Sequence, residues 1–276
     1  AEAECRILGV SRHTNRVAVR AELGILSQQG MRAAQSLCFF LRIKRHDDDR
    51  LCAKVFQFLL TDSVGAGITA NWARSCIPKL LKQYGLDEPD ASATPKAWRR
   101  DVLAAVSVAE DAELRSECNT SSKLADYRAL RGTDRIPAYI EARVPWFLEK
   151  GRRLKTQLRL GTNMLQIEQG RYSKTPRSMR LCPLCNREVE SSFHFTMVCA
   201  TLQPIRQEFF ALIDEIVRGC DAFGWSRMNL VSRWKFILGD GVPSTHAHFD
   251  QWHRIEHKVY SFLLKAKWAR LDGCNT

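Results

Sequence analysis

Apolar residues recur at three- and four-residue spacing along nearly the whole chain, and strict alternation is almost absent, so the pattern predicts helices. Three helical pieces divide residues 1–46: residues 2–8 ended by Gly9, residues 17–23 closed by Gly24, and a longer piece capped by Ser27 that carries Met31, Ala34, Leu37, Cys38 and Leu41. Serine before an apolar run supplies an acceptor for unpaired first-turn amides, and glycine after one tolerates the left-handed turn that ends a helix. The acids at 47–49 favour the start of a further helix, with Leu51, Val55, Phe58 and Leu59 as its apolar stripe. Residues 68–84 read as another, terminated by Gly85.

Residues 86–94 (LDEPDASAT) have a linker's composition. Thr94 followed by Pro95 then predicts a helix start, with Trp98, Val102, Val106 and Ala109 on one face of a helix reaching about Cys118. A shorter helix over 123–130 ends at Gly132. Residues 136–148, with Pro137, Pro145, Tyr139, Trp146 and Phe147, read as a turn and a short aromatic helix docking on the core. Further helices are expected over 150–160, 205–217, 230–238 and 249–271, the last striped by Trp252, Ile255, Val259, Phe262, Leu263 and Ala266. The expected fold is mainly α: a helical thumb-like segment (1–84), a linker (85–95), a helical connector (96–148) and a basic C-terminal domain (149–276) with a small metal module embedded among helices.

That module is the densest chemistry in the chain. Cys182, Cys185, His194 and Cys199 follow C-x2-C-x8-H-x4-C, three thiolates and one imidazole. Four such ligands close a tetrahedron suited to one structural zinc ion and leave no position for a catalytic water. His194 and Cys199 lie five residues apart, about 140° around a regular α-helix. Both cannot face one ion from such a helix, so Cys199 is expected at or just beyond a helix end. On this reading Cys185→Ser removes zinc and binding locally while most helix content survives.

The chain carries 42 Lys and Arg against 30 Asp and Glu, a net +12. Between 150 and 180 stand nine basic residues (Lys150, Arg152, Arg153, Lys155, Arg159, Arg171, Lys174, Arg177, Arg180) against the single acid Glu168, two thirds of that net charge. Gly161, Gly170 and Pro176 interrupt the stretch, so a basic helix followed by irregular chain is expected to lead into the metal module. Tyr172 lies inside it and is placed to stack on a base. These ten residues are the candidate nucleic-acid contacts; the plainer reading is a solvated helix face. If about five reach duplex phosphates, log K falls against log salt with a slope near −4 to −5.

The ten cysteines otherwise sit singly, several among apolar helical positions, which fits reduced thiols in a nuclear or cytoplasmic protein rather than a secreted one. No signal-like N-terminus or run of about 18 apolar residues is visible, so no membrane partner is expected. The chain opens on Ala1, in mid-helix, as a piece of a longer polypeptide would.

Two sequence blocks resemble a known family. Ile7-Leu8-Gly9-Val10-Ser11 with Ala18-Val19-Arg20-Ala21-Glu22-Leu23-Gly24 resembles the segment after the catalytic palm in reverse transcriptases of non-LTR (LINE-type) retrotransposons. Arg159-Leu160-Gly161, Gly170-Arg171-Tyr172, Pro176, Arg180 to Cys185, Phe193-His194-Phe195 and Cys199 are similar to the basic lead-in and CCHC zinc knuckle near that protein's C-terminus. The resemblance implies the thumb-to-knuckle portion of an RNA-directed DNA polymerase, holding element RNA or target DNA during target-primed reverse transcription. Its partners would be nucleic acid and the rest of the parent enzyme. The family's aromatic–Ala–Asp–Asp palm turn is missing, as are its endonuclease motifs, so no catalytic residue is expected here. A domesticated element fragment serving as a helical protein-interaction module with a zinc clip is the alternative.

Two other motifs compete. His253-Arg254-Ile255-Glu256-His257 matches the inverted zinc-protease pattern H-x-x-E-H, with His246 and His248 nearby. Such a site needs a further ligand, and the only acid that follows is Asp272, close to the end of the chain. Gly65-Ala66-Gly67 lacks the third glycine and the preceding strand of a phosphate loop.

Overall fold

Caps and stops legible in the sequence set most element boundaries. The computed structural model describes residues 2–46, 49–61, 75–132, 136–240 and 248–275. The acids at 47 and 48, the glycines at 65 and 67, residues 68–74 and His246 lie outside them. The helices are α1 (Glu2–Leu8), α2 (Arg16–Leu23), α3 (Gln28–Lys44), α4 (Leu51–Thr61), α5 (Ile77–Tyr84), α6 (Pro95–Thr120), α7 (Ala125–Leu130), α8 (Ala138–Glu141), α9 (Glu149–Arg159), α10 (Gln166–Tyr172), α11 (Gln203–Val217), α12 (Leu230–Leu238) and α13 (Phe249–Asn275). No strand occurs among the described residues; the one extended pairing is an isolated antiparallel bridge between Leu181 and Val189. The fold is mainly α.

Asn15 caps α2, its side chain accepting from the Ala18 amide at 3.0 Å, and Ser27 caps α3 by accepting from Gly30 at 2.9 Å. Gly24 ends α2 in the left-handed region at φ 63°. Ile136 fills the space a Gly24 side chain would need, so both conformation and packing demand glycine there.

Two compact units form. The smaller is Ile25–Leu114; the larger joins Ala1–Gly24 to Arg115–Thr276. In the smaller unit α3, α5 and the first part of α6 bury Leu37, Leu41, Ile77, Val102 and Val106. The face expected on α6 is the one that packs. Residues 85–95, linker-like in composition, fall within this unit: Leu86 and Ala93 pack against its core, and Lys44 bonds Glu88 at 2.7 Å.

In the larger unit α13 lies against α9 and α11 and buries its whole predicted stripe. Phe262 stacks on Phe209 of α11 with ring centroids 4.5 Å apart. The approach of α9 to α13 depends on Gly151, where an added Cβ would stand 2.6 Å from the Tyr260 carbonyl oxygen and its Cβ. Gly151→Ala is therefore expected to destabilise by about 1–3 kcal/mol, because the overpacking of two helix backbones outweighs alanine's better helix propensity. A thermal melt checks it; an unchanged or raised midpoint would contradict the close approach.

Residues 136–148 differ from expectation. Tyr139 and Leu148 are buried, but Trp146 is 87% and Phe147 59% exposed. Leu148 anchors this 3-10 turn while the aromatic pair projects outward. Residues 166–172, expected as irregular chain, form α10, which buries Ile167 and Glu168.

Candidate metal centre and basic surface

Cys182, Cys185, His194 and Cys199 converge, with their ligand atoms all within 4.8 Å of one another. The Cys182 and Cys199 sulfurs are 3.8 Å apart, and the Cys185 sulfur is 3.4 Å from Nε2 of His194. A tetrahedron with metal–sulfur bonds of about 2.3 Å has edges of about 3.8 Å, so the spacing fits one ion at the centre. It also excludes a Cys182–Cys199 disulfide, whose sulfurs would stand about 2.05 Å apart. No disulfide joins any of the ten cysteines.

The first pair of ligands sits on a knuckle turn. The Cys182 amide donates to the Glu188 carbonyl at 2.8 Å, the Glu190 amide to the Arg180 carbonyl at 2.9 Å, and the Asn186 amide to the Cys182 carbonyl at 2.8 Å. Asn186 takes the left-handed conformation (φ 53°) that closes the turn, tolerated by asparagine better than by most residues. Within it the amides of Leu184 and Cys185 point at the Cys182 sulfur, and those of Arg187 and Glu188 at the Cys185 sulfur. Burial pushes the Cys182 thiol up to about 12, a cost to the thiolate that a bound cation would offset. Burial also works against Cys185, but amides aimed at its more exposed sulfur bring its pKa below the ordinary thiol value.

The second pair meets the five-residue spacing problem by local geometry. His194–Val198 winds as a π-turn, and Cys199, its C-cap, donates its amide to the His194 carbonyl at 2.8 Å. The wider i to i+5 turn brings the fifth residue back to the same side, so both ligands face the ion. Cys199 stands just beyond the helix end, as expected.

Outer partners orient these groups. Nδ1 of His194 lies 3.1 Å from the Glu188 carboxylate, leaving Nε2 for the metal, a carboxylate–histidine pairing that fixes ring orientation. Arg206 donates to the Cys199 carbonyl at 3.1 Å, and Arg270 forms a buried pair with Glu190 at 2.6 Å. Both guanidiniums lie close enough to a cysteine sulfur to feel its charge, offsetting part of the excess left when three thiolates meet a divalent ion. Glu188 was within reach of the sequence as the acid between Cys185 and His194; Arg206 and Arg270 carry no local signal. The four ligands fill the coordination shell, so the arrangement suits a structural ion rather than a catalytic one.

The ten candidate nucleic-acid contacts separate into three groups. Lys155 and Arg159 are not on the surface: both side chains are 0% exposed. Lys155 Nζ bonds both oxygens of Glu256 at 2.8 and 3.0 Å. Arg159 pairs with Glu22 at 2.7 Å and with Asp240, and donates to the Leu238 carbonyl. Tyr127 and Tyr139 donate to the same Glu22 carboxylate. These two cations hold α9 to its neighbours and are withdrawn from the candidate surface. Nothing in their local sequence separates them from the other basic residues, because the acids that capture them stand about 80 to 140 positions away in the chain.

A second group is braced by the fold. Arg152 bonds the Ile140 carbonyl and Glu149, Arg171 bonds Glu168 and Ser122, and Arg180 donates to the carbonyls of Thr175 and Ile167. Lys150, Tyr172, Lys174 and Arg177 are exposed, as is Arg153, which is paired with Glu149. The segment that carries Tyr172, Lys174 and Arg177 is tied to the knuckle through Arg180, whose side chain donates to the carbonyls of Ile167 in α10 and Thr175 in the loop while its own carbonyl accepts from the Glu190 amide.

The competing motif is accounted for otherwise. Glu256 is consumed by Lys155, and His253 packs against the rings of Trp252 and Phe249. Among the described residues the knuckle is the one Cys/His/Asp/Glu group close enough to hold a metal ion. No helix among them is long and apolar enough to cross a membrane. Comparison with family models, with curated proteins and with solved structures finds no match to this chain.

Proposed function

We propose that this chain is a non-catalytic nucleic-acid-holding portion of a non-LTR retrotransposon reverse transcriptase, running from the thumb to the CCHC knuckle. The observation that carries this reading is the tie between a closed Cys3His cluster and the loop presenting Tyr172, Lys174 and Arg177. The ion is zinc: the soft sulfur and imidazole donors, without a carboxylate ligand, suit it best. Metal analysis of the purified chain should find one zinc per molecule.

With Lys155 and Arg159 inside the fold, three to four cations remain for phosphates: Lys150, Lys174, Arg177 and in part Arg153. The expected salt slope on duplex DNA falls to about −3, shallower than the value near −4 to −5 that about five contacts would give. Lys174→Glu with Arg177→Glu should flatten it by about 2 units while leaving the thermal midpoint unchanged. Fluorescence anisotropy over a salt series, on duplex DNA and on single-stranded RNA, measures both. A wild-type slope near zero would reject the reading.

The alternative, a helical protein-interaction module clipped by zinc, is favoured by the exposure of Trp146 and Phe147 side by side. It predicts no salt-dependent binding to either nucleic acid.

A further inference from the structure

In the smaller unit α3 and α6 lie antiparallel. The Ser27 amide bonds Glu110, Gly30 lies against Val106, and Trp98 Nε1 donates to the Leu37 carbonyl at 2.9 Å. Along their outer side runs an open groove of about 810 Å3. Its two ends differ. One end is mainly apolar, floored by Ala34 and Leu103, with Met31 43% exposed and Gln35 beside them, and Cys38 lies in the middle, close to Arg42 and Arg99. The other collects Arg42 and Arg45 from the last turn of α3 and its C-cap with Lys96 and Arg99 from the start of α6, all four exposed. Phe39, 50% exposed, sits between the two ends. No acidic residue is among the described residues lining the groove. None of the four cations has a carboxylate partner among the described residues.

We propose that this groove docks an acidic amphipathic helix of a protein partner. From Met31 to His46 the groove edge spans about 22 Å at 1.5 Å per residue, the length of about four helical turns. A groove between two helices with an apolar floor is the surface into which an amphipathic helix lays its apolar face, and the methionine adapts to different side chains. The four cations at one end select carboxylates at one end of the occupant and set its direction. Nucleic acid fits less well. Its phosphates recur at every nucleotide, whereas the Met31–Leu103 end offers no cation. Trp98, 9% exposed with its Nε1–H committed, offers no stacking face. The inference does not depend on the function proposed for the knuckle and its loop.

The test uses the full chain and two fluorescein-labelled helical peptides of about 16 residues, leucines at i, i+3, i+4 and i+7, with three glutamates in the first turn of one and the last turn of the other. At least one should bind about tenfold or more tighter than a scrambled peptide of the same composition. Arg42→Glu with Arg99→Glu should weaken it about tenfold, and so should Phe39→Ser, with helix content unchanged in both variants. Equal binding of the scrambled peptide, indifference to the charge reversal, or displacement of the peptide by an oligothymidylate of equal charge would each overturn the proposal.

Discussion

Replacing Cys199 by serine is expected to unfold the larger unit rather than to loosen one loop. The knuckle is not an appendage: Cys182 and Cys199, 1% and 0% exposed, belong to the same core cluster as Phe209 of α11 and Val259 and Phe262 of α13. Phe195 and Met197, on the π-turn between two ligands, are buried in it too. Without an ion, the buried Cys182 and Cys199 thiols, the partly exposed Cys185 and the buried His194 imidazole would face one another, with Arg206 beside them and no thiolate to balance it. Structural zinc in small modules is worth on the order of 10–16 kcal/mol, as much as the whole stability of a typical domain. Chelation should therefore act like the mutation, and Cys185→Ser should too, although the sequence alone suggested a local effect for it. Circular dichroism at rising temperature, with and without chelator, reads the outcome. Most of the helical signal contributed by the larger unit should be lost on chelation and regained on adding zinc. A melting curve indifferent to chelator and to Cys199→Ser would mean that the cluster holds no ion that matters to the fold.

Periodicity made the helices legible, and the ligand set could be written from spacing alone. Ser27, Gly24 and Thr94-Pro95 mark where elements begin and end, because capping is a local interaction that residue type announces. What local pattern could not supply is partnership across the chain. Lys155 and Arg159 stand in a basic run that reads as surface, yet Glu22 of α2, Asp240 just after α12 and Glu256 of α13 draw them inside. Trp146 misled in the other direction: an aromatic pair directly after Pro145 suggests docking, but the short turn can bury only one side, and Leu148 takes it. The π-turn at His194 lay between these cases. The spacing showed that a regular helix would fail, without showing how the backbone would solve it.

The network around Arg159 gives the second large effect. Arg159→Met should destabilise the larger unit by about 3–5 kcal/mol, because it leaves Glu22 and Asp240 buried without their common partner. For a unit of this size that lowers the melting midpoint by about 10 °C. Arg159→Lys should recover only part of the loss, since an ammonium cannot reach Glu22, Asp240 and the Leu238 carbonyl at once as the planar guanidinium does. The two carboxylates titrate in opposite senses. Burial alone would raise Glu22, but the Arg159 charge and the hydrogen bonds from Arg159, Tyr139 and Tyr127 hold it below its ordinary value. It therefore adds stability at neutral pH that is lost as pH falls through that lowered value. Asp240 is raised, chiefly by burial, with Glu22 adding to the effect against the pull of Arg159. Its ionisation costs stability at neutral pH, a cost relieved as pH falls through the raised value. Once Arg159 is gone, nothing of comparable strength holds Glu22 down, so its pKa should rise and the variant should regain stability by protonating both acids in mild acid. The gap between wild type and Arg159→Met is thus expected to be widest near neutral pH and to narrow toward acid. Urea unfolding at a series of pH values measures it directly. A gap that stays constant or widens toward acid would show that Arg159 acts through packing alone.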